Sequence, residues 1–247
     1  MSFKTEIVDI TRGPYKWSVK IRPNTTDEQV IKEVLVKNQY EKKAIPFLIE
    51  EGDVFLDAGS NIGLFSINAA TLVDKIKIYA FEPEPDNFKL LNDNIVLNNL
   101  GHKVKTFQKA LSTKESVMDL YLGRTAYQKY RHTLRPVRGR ESIKVKVVDI
   151  RNILEKFKIN AIKMDIEGAE IEILEAITDW KKYGINKLVF EYDFDQDKSI
   201  DRFNKIIKQL KKSFNTIKYP KMPPDDVKEY LYYPSGILVF CCNIYKT

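Results

Sequence analysis

Apolar and polar positions along the chain switch repeatedly between two periods. Residues 27–39 place Val30, Ile31, Val34 and Leu35 on one face at helical spacing, which predicts a helix there. The run at 53–57 predicts a short buried strand, a glycine-containing turn follows, and 62–73 predicts a helix. A strand at 77–81, a helix at 85–98 opened by Pro85, and a strand at 103–107 continue the alternation. Residues 116–122 and 143–148 interrupt it as two strands joined by a polar segment. It resumes with a strand at 161–165, a helix at 169–177, a strand at 187–192 and a helix at 199–212, and closes with strands at 215–218 and 236–245. Strands alternating with helices predict an α/β fold, a doubly wound sheet of about seven mostly parallel strands covered on both faces. Residues 1–45 are expected to cap this domain, 46–247 to form its body, and the interrupted stretch to be a β-hairpin insertion.

Charge sharpens that picture. The chain of 247 residues carries a net charge of +7. Eight basic residues (Arg124, Lys129, Arg131, Arg135, Arg138, Arg140, Lys144 and Lys146) against Glu141 alone place the whole excess between 124 and 146, leaving the remainder neutral. Tyr121, Tyr127 and Tyr130 are interleaved with them. A segment of this kind is either a solvated loop or an anion-attracting surface for phosphate, nucleotide-sugar, acidic glycan or nucleic acid. Its arginines favour bidentate recognition of phosphate or carboxylate, with Arg131, Arg135 and Arg138 as the substrate-contacting candidates. Composition, at 43% hydrophobic and 30% charged, is that of a globular domain and excludes disordered, collagen-like and coiled-coil classes. Cys241 and Cys242 are adjacent in an apolar run, which suits core residues in a reducing compartment better than a disulfide framework or zinc knuckle. The N-terminal residues lack an apolar signal region and the longest apolar stretch is too short to span a bilayer. The expectation is a soluble, cytoplasmic protein without a membrane span.

The most informative local pattern is Asp57-Ala-Gly59-Ser-Asn61-Ile-Gly63 between a strand and a helix. In an open parallel sheet ligands bind beyond the carboxyl ends of the strands, and glycines there admit close backbone approach. The spacing is G-x-x-x-G and does not meet the dinucleotide fingerprint. Glu82 ends the next strand, 19 residues beyond Gly63, where an acid accepts hydrogen bonds from ribose hydroxyls. With Asp57 acidic as well, the pattern suits a nucleoside bearing a positive centre and no diphosphate, S-adenosylmethionine. The bland alternative is a helix-packing turn.

Three blocks, DAGSNIGLFS, FEPEPDNFKLLNDNIVLNN and IKMDIEGAEIEILEA, resemble the signature blocks of the FkbM-type methyltransferases. These are class I, Rossmann-like, S-adenosylmethionine-dependent enzymes, mostly O-methyltransferases. The resemblance runs from about Asp27 to Tyr192, and IKMDIEGAE is its most specific part. It implies that Asp57, Gly59, Asn61 and Gly63 line the methionine end of the cofactor and that Glu82 holds the ribose. It further implies that Tyr40 and Glu41 close over the methionine end and that the adenine lies near 107–110. Residues 123–140 carry no family signature, so the acceptor is not implied.

Asp165, Glu167 and Glu191 stand at or just past the ends of two strands that should be adjacent, so their carboxylates are expected to converge on one crevice. There they can orient hydroxyls, take a proton, or hold a divalent cation (Mg or Mn) through oxygen ligands. The alternative for Asp165 and Glu167 is capping of the helix that follows. His132, inside the basic segment, is a candidate general base, and His102 reads as structural. The leading expectation is O-methylation of a sugar in a glycan or nucleotide-sugar. The runner-up is ribose 2′-O-methylation of RNA, which the basic segment with its tyrosines suits and to which Lys163, Asp165 and Glu191 bear a resemblance. A non-catalytic binding module is a third class, disfavoured by the acids at 57, 82 and 165. Base N-methylation is disfavoured because Asp-Ile-Glu-Gly stands where that chemistry uses an Asn/Asp-Pro-Pro-aromatic motif.

Overall fold

The computed structural model describes residues 4–40, 49–123, 132–192, 199–219 and 237–243. Glu6–Arg12 (β1) and Tyr15–Ile21 (β2) form an antiparallel hairpin. In β2 the alternate residues Trp17, Val19 and Ile21 are buried, as a strand with one packed face requires. Asp27–Ile31 (α1) follows and continues as a π-helical turn over Lys32–Val36. The buried guanidinium of Arg22 donates to both carboxylate oxygens of Asp27, from Nε at 2.9 Å and Nη2 at 2.8 Å, which fixes the start of α1.

Seven strands make the main sheet: Val54–Ala58 (β3), Lys77–Phe81 (β4), Val104–Phe107 (β5), Ala161–Met164 (β9), Lys187–Tyr192 (β10), Thr216–Lys218 (β11) and Ile237–Cys242 (β12). Their order is β11-β12-β10-β9-β3-β4-β5, with β3, β4, β5, β9 and β10 parallel and β12 antiparallel to both of its neighbours. The strands read as near-continuous apolar runs because both faces are covered. Phe55, Ile78 and Ala161 pack with Leu64–Leu72 (α2) and Pro85–Leu97 (α3), together with Trp17, Val19 and Leu35 of the N-terminal segment. Leu56, Ala58, Ile162 and Met164, one residue out of phase, pack with Ile150–Phe157 (α4), Glu170–Ala176 (α5) and Ile200–Leu210 (α6) on the other face. The doubly wound, mostly parallel seven-strand sheet expected from the sequence is the fold observed.

Two asparagines of the α3 block hold the N-terminal hairpin on the core. Asn94 Oδ1 accepts from the Lys20 amide at 2.6 Å and its Nδ2 donates to the Lys20 carbonyl at 3.2 Å. Asn98 does the same for Ser18 at 3.1 and 2.8 Å. Each side-chain amide thus imitates a neighbouring strand for one residue of β2. The expected insertion is a second sheet in which Ser116–Tyr121 (β7) pairs antiparallel with Ser142–Asp149 (β8), and Ala110–Ser112 (β6) adds parallel to β8. The expected strand and helix positions are found with small shifts at their ends. The hairpin β1–β2, the three-residue β6 and the helix α4 were not expected. Among the described residues no helix is long and apolar enough to cross a membrane.

Candidate functional site

The carboxyl ends of β3, β4, β9 and β10 open into a cleft of about 450 Å³. Its floor is the glycine turn after β3. The Gly59 and Ser60 amides donate to the Phe81 carbonyl at 3.1 and 3.0 Å, which ties the turn to the end of β4. Gly59 has φ +77°, and a Cβ there would lie 1.8 Å from the carbonyl oxygen of Asp165, so the residue must be glycine on both counts. Gly63, at φ +91°, opens α2 and backs onto Leu91, whose Cδ1 would be 2.7 Å from an added Cβ.

Glu82 forms the next wall. Its carboxylate accepts from the Asn61 amide at 2.8 Å and the Glu84 amide at 3.0 Å. Burial pushes its pKa up to about 7 in spite of those two donors. Among the described residues the buried Asn61 Oδ1 has no hydrogen-bond partner, which leaves an acceptor at this turn open to a donor. Lys109, Ala110 and Leu111 extend the cleft beyond Phe81. Phe107 itself stacks on Phe81, with centroids 4.7 Å apart, and is not among the lining residues.

The opposite wall carries the acids. Asp165 follows β9, its amide donating to the Ala58 carbonyl at 3.1 Å. The buried Tyr40 hydroxyl lies 3.5 Å from Asp165 Oδ2. Burial, and then the charges of Asp165, Glu191 and Asp57, hold the Tyr40 phenol well above its usual pKa, so it stays a donor. Glu167 takes φ +55°, and its carbonyl accepts from Thr133 Oγ1 at 2.6 Å, which docks the insertion onto the acid loop. His132, buried beside Thr133, accepts at Nδ1 from the Gly123 amide at 3.2 Å.

Among the expected site residues, Tyr40, Gly59, Asn61, Glu82, Asp165, Glu167, Glu191 and His132 all line this one cleft. Asp57 and Gly63 stand behind the lining. Asp57 points toward α2, where Oδ2 accepts from Ser66 Oγ at 2.6 Å and Oδ1 faces Lys163. Arg135 and Arg138 are not lining residues; the Glu175 carboxyl is held below its usual pKa first by its hydrogen bond from Arg202 and, more weakly, by the charge of Arg135. Glu41 and Arg131 lie outside the described residues.

The metal expectation needs correction. Among the described residues no group of three His, Cys, Asp or Glu side chains is arranged to hold a metal ion. A cation already faces Asp165, because the Lys163 ammonium stands 3.6 Å from its Oδ2. Ala169 is the N-cap of α5 and carries no side-chain cap hydrogen bond. Glu170, at the start of α5, folds back to accept from the amides of Ile166 and Gly168. Lys163 and Glu170 both line the cleft. The sequence grouped Lys163 with Asp165 and Glu191 and left Glu170 unassigned.

This strand order, with a glycine turn facing an acid at the end of the neighbouring strand, defines a class I S-adenosylmethionine-dependent methyltransferase. The family model "Methyltransferase FkbM domain" matches residues 57–215, and the chain belongs to that family. It is 25% identical over 204 residues to the methyltransferase sdnD of Sordaria araneosa, covering 70% of this chain and 75% of that one. It is 29% identical over 132 residues to the hexuronic acid methyltransferase AglP of Haloferax volcanii, a match covering 52% of each chain. The crystal structure of an FkbM methyltransferase from Methylobacillus flagellatus aligns with a TM-score of 0.49 at 17% identity, covering 87% of this chain and 53% of that one. The residues present fit the cofactor. Among the described residues Asn61 Oδ1 has no donor, and the Glu82 carboxylate lines the same cleft as an acceptor that could take ribose hydroxyls. When bound, S-adenosylmethionine supplies an electrophilic methyl group on sulfur.

Proposed function

We propose that the chain is an O-methyltransferase acting on a hydroxyl of a sugar, in a glycan or nucleotide-sugar that carries acidic groups. The observation that carries this reading is the convergence of Tyr40, Asp165, Glu191 and His132 on the cleft wall facing the glycine turn and Glu82. In this reading Glu82 accepts from the cofactor ribose, and Gly59 and Asn61 bound its methionine end. The acceptor hydroxyl donates to Asp165, which Tyr40 orients. As the new O–CH3 bond forms and the S–CH3 bond breaks, the hydroxyl proton passes to Asp165, since the acceptor nitrogen of His132 is already engaged by the Gly123 amide. Holding the partners in near-attack geometry contributes at most about 7–11 kcal/mol, and a positioned base about 10²–10⁴-fold.

The acidic acceptor is supported by the positive excess between 124 and 146 and by the printed name of the relative AglP, a hexuronic acid methyltransferase. The test is transfer of a labelled methyl group to a methyl uronide by the wild type and by Asp165→Asn. The expected product is an alkali-stable methyl ether, with kcat reduced about 10²–10⁴-fold in the variant. An alkali-labile ester, or an unchanged kcat in Asp165→Asn, would overturn the reading.

A further inference from the structure

We propose that Lys163 is a positioning residue that locks the cofactor-binding glycine turn to Asp165, so that one buried ammonium sets both halves of the site. The sheet register creates this arrangement. Asp57 and Lys163 are paired neighbours on β3 and β9, and both point to the α2 side of the sheet, out of phase with the apolar Leu56, Ile162 and Met164. Lys163 is 4% exposed and Asp57 is fully buried.

From there Nζ makes three contacts that belong to three different pieces of the site. It donates to the Gly59 carbonyl at 2.7 Å. It stands 3.5 Å from Asp57 Oδ1 and 3.6 Å from Asp165 Oδ2. Ser66 Oγ engages the other oxygen of Asp57, which leaves Oδ1 directed at the ammonium. Burial favours the neutral amine, but the Asp165 and Asp57 carboxylates outweigh it and hold the pKa above its ordinary value, so the charge stays.

The consequence concerns geometry. Gly59 already lies against the backbone of Asp165, and the ammonium adds a link from the turn's carbonyl to the acid's side chain. Tyr40 and Lys163 both approach Oδ2, so Oδ1 is the oxygen they leave for an acceptor hydroxyl. The sequence groups Lys163 only with Asp165 and Glu191. The structure makes it the common fixing point of cofactor turn and acid. The catalytic half of the inference rests on the proposed role of Asp165; the cofactor half does not.

Lys163→Met alone leaves Asp57 as an uncompensated buried charge, which is strongly destabilising and can prevent folding. The test is therefore built on Asp57→Asn, comparing it with Asp57→Asn/Lys163→Met, Asp57→Asn/Asp165→Asn and the triple variant. S-adenosylmethionine affinity is read by calorimetry, and kcat by methyl transfer to a methyl uronide. Removing Lys163 is expected to weaken cofactor binding about tenfold and lower kcat about 100-fold, since misplacing a reacting group by about 1 Å costs on that order. Once Asp165 is Asn, removing Lys163 is expected to lower kcat by less than about threefold further, because coupled residues are not additive. Fully multiplicative kcat losses would mean that Lys163 does not act through Asp165, and would overturn the inference. If the wild type transfers no methyl to the uronide, the acceptor reading fails. The affinity arm then decides, a tenfold loss supporting the link to the turn and an affinity within twofold of Asp57→Asn overturning it.

Discussion

Replacing Gly59 with alanine puts a methyl group where the carbonyl oxygen of Asp165 now lies. The added Cβ would be 1.8 Å from that oxygen and 2.8 Å from its carbon, so reaching even 3.0 Å requires the turn and the end of β9 to separate by about 1.2 Å. Both partners are backbone, so no side chain can rotate away. The position also has φ +77°, and a non-glycine residue held in the left-handed region costs about 1–2 kcal/mol. Forced repacking adds about 1–3 kcal/mol. A total near 3 kcal/mol lowers Tm by about 6–12 °C in a domain of this size. The functional loss should be larger than the stability loss. The shift falls between the cofactor turn and the acid, where a misplacement of about 1 Å costs on the order of 10²-fold in rate. The assay pairs thermal unfolding with calorimetric titration of S-adenosylmethionine. Gly101→Ala serves as control, because a Cβ there meets nothing within 4 Å. A Gly59→Ala protein that melts within about 2 °C of the wild type and keeps its cofactor affinity would refute the close turn-to-acid approach.

Glu82 has a pKa of about 7 in the fold against an ordinary 4.5, so the stability it contributes is full below 4.5 and is lost as pH rises through 7. The cofactor-free protein should lose part of its Tm between pH 4.5 and 7, and Glu82→Gln should flatten that slope. Ribose hydroxyls need the ionised carboxylate, so cofactor binding at pH 6.5 should release a proton, seen in calorimetry as a dependence on buffer ionisation that Glu82→Gln removes. Asp27→Ala leaves the Arg22 guanidinium buried without its partner and should cost about 3–5 kcal/mol in denaturant unfolding. Arg135→Gln/Arg138→Gln should raise KM for an acidic acceptor severalfold and weaken its salt dependence, since exposed charges act over about 8–10 Å.

The main sheet was legible because buried parallel strands read as continuous apolar runs, and β3, β4, β9 and β10 show them. The cleft followed from topology, since Gly59, Glu82 and Asp165 sit at strand ends that a doubly wound sheet brings together. What stayed hidden depends on register. Asp57 reads as a cofactor ligand until its pairing with Lys163 shows it turned toward α2. The same pairing turns Lys163, grouped in the sequence only with Asp165 and Glu191, into the cation that faces both Asp57 and Asp165. The strand β2 was legible too, since Trp17, Val19 and Ile21 alternate strictly with Lys16, Ser18 and Lys20, the period of a strand with one packed face. β6 is three residues long and α4 eight, below the length at which a period is decisive.

The central claim is methyl transfer from S-adenosylmethionine to a sugar oxygen in this cleft. The most direct measurement incubates the protein with methyl-labelled cofactor and two acceptor pools in competition, nucleotide-sugars with glycans on one side and total RNA on the other, and follows the label by mass spectrometry. The expected result is an alkali-stable methyl ether in the sugar pool that disappears with Asp165→Asn. Label confined to RNA, or a sugar product formed equally well by Asp165→Asn, would contradict it.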